Sequence, residues 1–202
     1  MRSLLKALRL RINRLQLRCY LALFGPELVC GDINRWAFKV GMEEVLRMLG
    51  AEVGEQSRID PPLFIKNAEG GSCRNLKIGR HVRTGPGLFF DLAASIVIED
   101  EVGIADGTII VTHFGVGDRP LQRVVGYSKG GVTFKRGCYV GVGCIILHGV
   151  THGEYSITGA GTLVREDVPP RSVCVGVPGK VIKTFDFDPD APSEPARAAA
   201  AS

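Results

Sequence analysis

Three of the four histidines sit where chemistry is conceivable. His113 follows Val111-Thr112 and opens a stretch holding Asp118-Arg119-Pro120 and Gly130-Gly131. An imidazole with an ordinary pKa of ~6.5 can accept a proton near neutral pH, which suits it to general-base work. A surface-loop histidine is the plain alternative. His148 and His152 are four apart and His113 lies 35 residues upstream, and three histidines can hold a catalytic zinc. Asp91, just after Phe89-Phe90, is either a polar contact for a substrate or an ordinary turn aspartate. The six cysteines form no CxxC pair and read as reduced thiols of a cytoplasmic protein.

The elements that must position these residues show themselves as a period. Val53, Ile59 and Ile65 are six apart, and after a change of register so are Ile98, Ile104 and Ile110. Phe134, Val140, Ile146, His152, Thr158 and Val164 continue the same step. A six-residue unit is one short strand plus one turn, with its key residue pointing inward. Three units make a triangular coil, and stacked coils bury a core that no single unit could bury. Continuing the step past Ile110 would put Val116, Gln122 and Ser128 inside, so residues 111–133 read as a loop ejected from the coil. In this register His152 faces inward, out of phase with His148.

Composition agrees. The 202 residues include 26 glycines and, by count, 35 valines and isoleucines, with 7% aromatics. This favours β-structure with many turns. The net charge of +4 is unevenly placed, because residues 1–26 carry Arg2, Lys6, Arg9, Arg11, Arg14 and Arg18 and no acid. The other 176 residues hold 19 basic and 21 acidic side chains, which argues against a body that grips nucleic acid. No apolar run approaches the ~20 residues of a membrane span, and arginines up to Arg18 interrupt any signal-peptide core. Residues 1–24 read as an amphipathic helix with Leu4, Leu5, Leu8, Ile12, Leu15, Cys19 and Leu23 on one face. It either packs on the body or rests on an anionic membrane surface. A second helix is expected from about Asn34 to Leu49, capped by Gly50. The expected division is thus 1–52 helical, 53–183 coil, and 184–202 a flexible tail.

The block VTFKRGCYVGVGCIILHGVTHGEYSITGAGTLVREDVPPRSVCVGVPGKVIK, residues 132–183, resembles hexapeptide-repeat acyltransferases. The similarity extends from about Val53 and is to the maltose, galactoside and nodulation O-acetyltransferase branch. It implies a left-handed parallel β-helix, a homotrimer with active sites between subunits, and acetyl-CoA as donor without a metal. In that branch a histidine stands where the coil gives way to the long loop, which is the place of His113 here. The resemblance makes it the general base for direct acetyl transfer to a hydroxyl, and it suggests Asp91 as an acceptor contact. It also places Val142, Gly159 and Ala160 along the pantetheine arm, with Arg165, Lys180 and Lys183 near the nucleotide phosphates. Solvated surface charge is the alternative for those three cations.

The sequence departs from the pattern at Phe114, where proline is usual, and at His152, Thr158 and Gly179. The expected activity is acetyl transfer to a sugar or polysaccharide-precursor hydroxyl. An amine acceptor would make it an N-acetyltransferase. Two remoter readings are a zinc β-helix enzyme similar to carbonic anhydrases, whose close histidine pair is spaced by five rather than four, and a catalytically dead scaffold.

Overall fold

The structure is a computed structural model that describes residues 2–186, 188 and 189, with side chains from residue 5 onward. The expectation for the tail beyond these positions, and for Leu4's side chain, lies outside the described residues. The body is a left-handed parallel β-helix with three flat sides. Sheet I stacks Glu52–Val53, Leu76–Ile78, Ile96–Ile98, Val132–Phe134 and Thr151–His152. Sheet II stacks Arg58–Ile59, Arg83–Thr84, Gly103–Ile104, Tyr139–Val140, Ile157–Thr158 and Ser172–Val175, and sheet III stacks Leu63–Lys66, Leu88–Asp91, Ile109–Ile110, Ile145–Ile146 and Leu163–Val164.

The six-residue step becomes three inward columns. Ile98 pairs with Phe134 and Phe134 with His152; Ile104, Val140, Thr158 and Cys174 form the second column; Ile110, Ile146 and Val164 form the third. All of these are buried, and each strand presents alternate side chains to core and solvent. Eighteen residues separate Val140 from Thr158, but 20 separate Thr84 from Ile104 and 25 separate Ile59 from Thr84. The first coils therefore carry insertions, one holding the short turn Glu69–Gly71. That is the register change visible in the sequence.

Helix α1 (Arg2–Gly31), α2 (Ile33–Val40) and α3 (Met42–Met48) precede the coil. The single helix expected over Asn34–Leu49 is broken at Gly41, whose φ of 95° no helix accommodates. Gly50 does turn the chain after α3, again at φ 95°. Trp36, Met42, Val45 and Leu46 are buried over the first coil. Asn34 fixes this cap by donating to Leu63 O at 2.9 Å and accepting from Leu63 N–H at 2.7 Å. Helix α1 packs with Leu10, Leu17, Tyr20 and Leu21. The stripe Leu5, Leu8, Ile12, Leu15 and Leu23, for which packing on the body and contact with a membrane surface were the two expectations, is exposed. At the other end Lys180–Thr184 folds back antiparallel on Ser172–Val175.

A loop does leave the coil, but over a shorter stretch than the expected 111–133, because Val111 N–H still bonds Ile146 O and Val132–Phe134 already pairs in sheet I. The loop forms a hairpin, His113–Phe114 against Ser128–Lys129, with the one-turn helix α4 (Gln122–Val125) at its far end.

Candidate active site

His113 is the first residue of the ejected hairpin, directly past the sheet III strand Ile109–Ile110. Its Nδ1 lies 2.6 Å from Oδ2 of Asp91, the last residue of the neighbouring strand Leu88–Asp91. Asp91 is 2% exposed, and both its oxygens are engaged. Oδ1 accepts from Asn67 Nδ2 at 2.7 Å and from Ala93 N–H at 3.2 Å, while Oδ2 also accepts from the N–H groups of Thr112 and His113. Burial would raise this carboxyl, but the hydrogen bonds from Asn67, His113, Thr112 and Ala93 outweigh it and hold the pKa at about 2. Thr112 bridges the same corner, its Oγ1 donating to Asp91 O and accepting from Ala94 N–H.

An ionised carboxylate only accepts, so the close Nδ1 carries a proton, and in the neutral ring Nε2 is then the nitrogen with the lone pair. The His113 side chain is 30% exposed, so the ring is not sealed in the core as Asp91 is. The oxygens of Asp91, expected to contact an acceptor, are buried in this chain and engaged by these donors, His113 among them.

The loop shapes the surroundings. The Tyr127 ring lies 6.1 Å from that of His113, and Ser128 Oγ sits 2.8 Å from His148 Nε2. Since Ile110 pairs with Ile146, His148 occupies the same corner one coil further on. His152 does not join them. It is fully buried in the core and stacked on Phe134 at 5.0 Å, with its pKa pushed down to about 4 by burial. The three-histidine set therefore does not assemble within the chain, and among the described residues no cluster of three suitable side chains forms.

The opposite edge of sheet III carries a different corner. Val142 follows the sheet II strand Tyr139–Val140, and Gly159-Ala160 follows Ile157–Thr158 one coil on. Gly161 N–H donates to Val142 O at 2.8 Å, stacking the two turns. Among the described residues the N–H groups of Val142 and Ala160 have no partner in the protein, and both residues are exposed. Two unpartnered amides on one ridge are donors that an extended chain bearing carbonyls could satisfy.

No protein-family profile matches the chain. The galactoside O-acetyltransferase of Escherichia coli K12 is 31% identical over 145 residues, covering 71% of this chain and 68% of that protein. The solved maltose O-acetyltransferase of Clostridium difficile 630 superposes with a TM-score of 0.68 at 26% identity, over 80% of this chain and 87% of that one. A hexapeptide-repeat acetyltransferase of Vibrio cholerae, solved with acetyl coenzyme A, gives a TM-score of 0.68 at 22% identity, covering 80% and 86%. The chain belongs to the hexapeptide-repeat acetyltransferase family.

In this acetyltransferase the remaining candidates are dispersed. Arg165 lies on the His113 side of sheet III, two coils further on, in a 3.5 Å pair with Glu166. Lys180 and Lys183 stand exposed on the closing strand of sheet II. One chain thus brings together Val142, Gly159 and Ala160, and separately His113 with Asp91, but not the whole set. Asn67, Thr112 and Tyr127 went unnoticed in the sequence. Asn67 has one legible signal, since an asparagine ending a strand favours the left-handed turn it adopts, φ 56°.

Proposed function

We propose that this acetyltransferase moves the acetyl group of acetyl-CoA onto a hydroxyl of a sugar or polysaccharide precursor, with His113 as general base. The observation that carries the reading is the Asp91–His113 pair, which engages Nδ1 and leaves Nε2 as the ring nitrogen free to meet a substrate. Nε2 takes the hydroxyl proton as that oxygen attacks the thioester carbonyl. The C–S bond then breaks, and coenzyme A leaves as a thiolate that recovers the proton. Backbone amides beside the carbonyl stabilise the oxyanion. The unpartnered N–H groups of Val142 and Ala160 suit the amides of a pantetheine arm, and Arg165, Lys180 and Lys183 suit its phosphates. The relatives named for sugar acetylation support the class of acceptor.

The two half-sites lie at opposite edges of sheet III, and that sheet's outer face is an apolar row. Phe64, Phe89, Ile109, Ile145 and Leu163 stand in register across five strands. The corresponding row on sheet I is Glu52, Lys77, Val97, Thr133 and Thr151. We read sheet III as the side through which three copies associate, bringing His113 of one subunit to the donor ridge of the next. The test is acetyl transfer by purified protein, followed as free coenzyme A release over a panel of sugar acceptors. His113→Ala is expected to lower kcat by ~10²–10⁴-fold while acetyl-CoA still binds. A variant that keeps near-normal kcat removes His113 from the chemistry.

A further inference from the structure

The first segment of α1 has two apolar faces, and the fold uses one. Leu10, Leu17, Tyr20 and Leu21 pack inward. On the outer side Leu5, Leu8, Ile12, Leu15 and Leu23 are 49% to 76% exposed, with exposed Cys19 among them. At ~100° per residue these six occupy a straight stripe about 80° wide. It runs from residue 5 to residue 23, roughly 27 Å at ~1.5 Å per residue. It stops where the helix breaks at Gly25-Pro26.

The margins of the stripe are basic on both sides. Arg11 and Arg18 fall along one edge and Arg9 along the other by the same spacing. Among the described residues none of these three has an ion-pair partner, and only Arg14, further round, reaches Glu44 at 3.5 Å. No acidic residue precedes Glu27. A leucine stripe framed by guanidinium groups fits the head-group boundary of an anionic bilayer, where the leucines sink and the arginines reach phosphates. A second copy of this chain fits it less well. Five of its coil acids, Glu52, Asp60, Glu99, Asp100 and Glu101, are already paired with Lys77, Arg58, Lys135, Arg80 and Arg136.

We propose that α1 is a peripheral membrane-binding element that lays Leu5, Leu8, Ile12, Leu15 and Leu23 on the surface of an anionic bilayer. No described helix is long and apolar enough to cross a membrane, so the contact is interfacial. The inference is independent of the acetyl-transfer reading, and its test does not depend on activity.

The experiment is co-sedimentation of the full chain with two kinds of vesicle, phosphatidylglycerol mixed equally with phosphatidylcholine, and phosphatidylcholine alone. Expected is binding at least tenfold tighter to the anionic vesicles, weakening as salt rises. Ile12→Glu combined with Leu15→Glu should remove at least tenfold of that affinity. Arg11→Gln with Arg18→Gln should remove most of the preference for the anionic lipid. Both variants change exposed side chains, so melting temperature and oligomeric mass by light scattering should match the parent. Equal binding to both vesicles, or none, overturns the proposal. So does a glutamate variant that keeps its vesicle affinity or loses oligomeric mass, the latter showing that the stripe joins subunits.

Discussion

At the scale of single residues, the site turns on a carboxylate that no substrate can reach. Asp91 sits at the end of a strand where the chain would otherwise bury a charge, and N–H donors from four residues make that burial tolerable. Replacing it by asparagine keeps the shape but offers an amide that can equally donate to Nδ1, releasing the tautomer. Asp91→Asn should lower kcat by ~10–100-fold, with little change in KM for acetyl-CoA. Side-by-side kinetics with the parent would check this. With a folded pKa of about 2, below the ordinary 3.8, the carboxylate's stabilising contribution is complete above about pH 4 and drains as pH falls toward 2. Acid titration of parent and Asp91→Asn should therefore converge at the acid end. The position of His113 at the mouth of a loop was legible. Its pairing with Asp91 was not, because reading it requires knowing that Phe90 pairs with Ile110 across a 20-residue coil rather than an 18-residue one.

At the scale of strands and turns, the repeat tolerates polar groups in its core, and each leaves a measurable trace. His152 fills a place where the family favours an aliphatic side chain. Its Nδ1 is 3.3 Å from Thr158 Oγ1, and its Nε2 has no partner among the described residues. Burial holds its folded pKa near 4, below the ~6.5 of an unfolded chain. The unfolded state therefore binds a proton first as pH falls, and stability is lost between about pH 6.5 and 4. Against a His152→Leu variant, the parent should lose about 2 kcal/mol more on going from pH 7.5 to pH 5, read by denaturant melts at both values. The turns are less forgiving. A Cβ on Gly141 would stand 2.6 Å from the Ala160 backbone nitrogen of the next coil, so Gly141→Ala should destabilise the protein by ~1–3 kcal/mol, seen as a lower Tm. The inward columns from Ile98 to Val164 were readable from the six-residue step alone. The break of the second helix at Gly41 was not, since one glycine within an amphipathic pattern does not announce a left-handed turn. The outward leucines of α1 left two readings open for a similar reason, because periodicity finds an apolar face without saying which of two faces the fold will use.

At the scale of the molecule, the separation of His113 from the Val142–Ala160 ridge makes a prediction about mixtures. His113→Ala supplies an intact ridge, and Ala160→Glu supplies an intact histidine. If each site takes one part from each of two subunits, mixed assemblies of these variants should recover activity that neither shows alone. Co-expression with two affinity tags, followed by transfer assays on the doubly tagged fraction, would measure it; no recovery would place the whole site in one chain. The two ends of the coil bear on how such assemblies form. A stack of parallel strands invites more strands at each end. Here helices α2 and α3 cover the first coil, and the backward strand Lys180–Thr184 closes sheet II while Gly179 N–H takes Leu163 O at 2.8 Å beside sheet III. A solenoid stoppered in this way does not template further strands at its ends, which leaves its flat sides as the faces open to association.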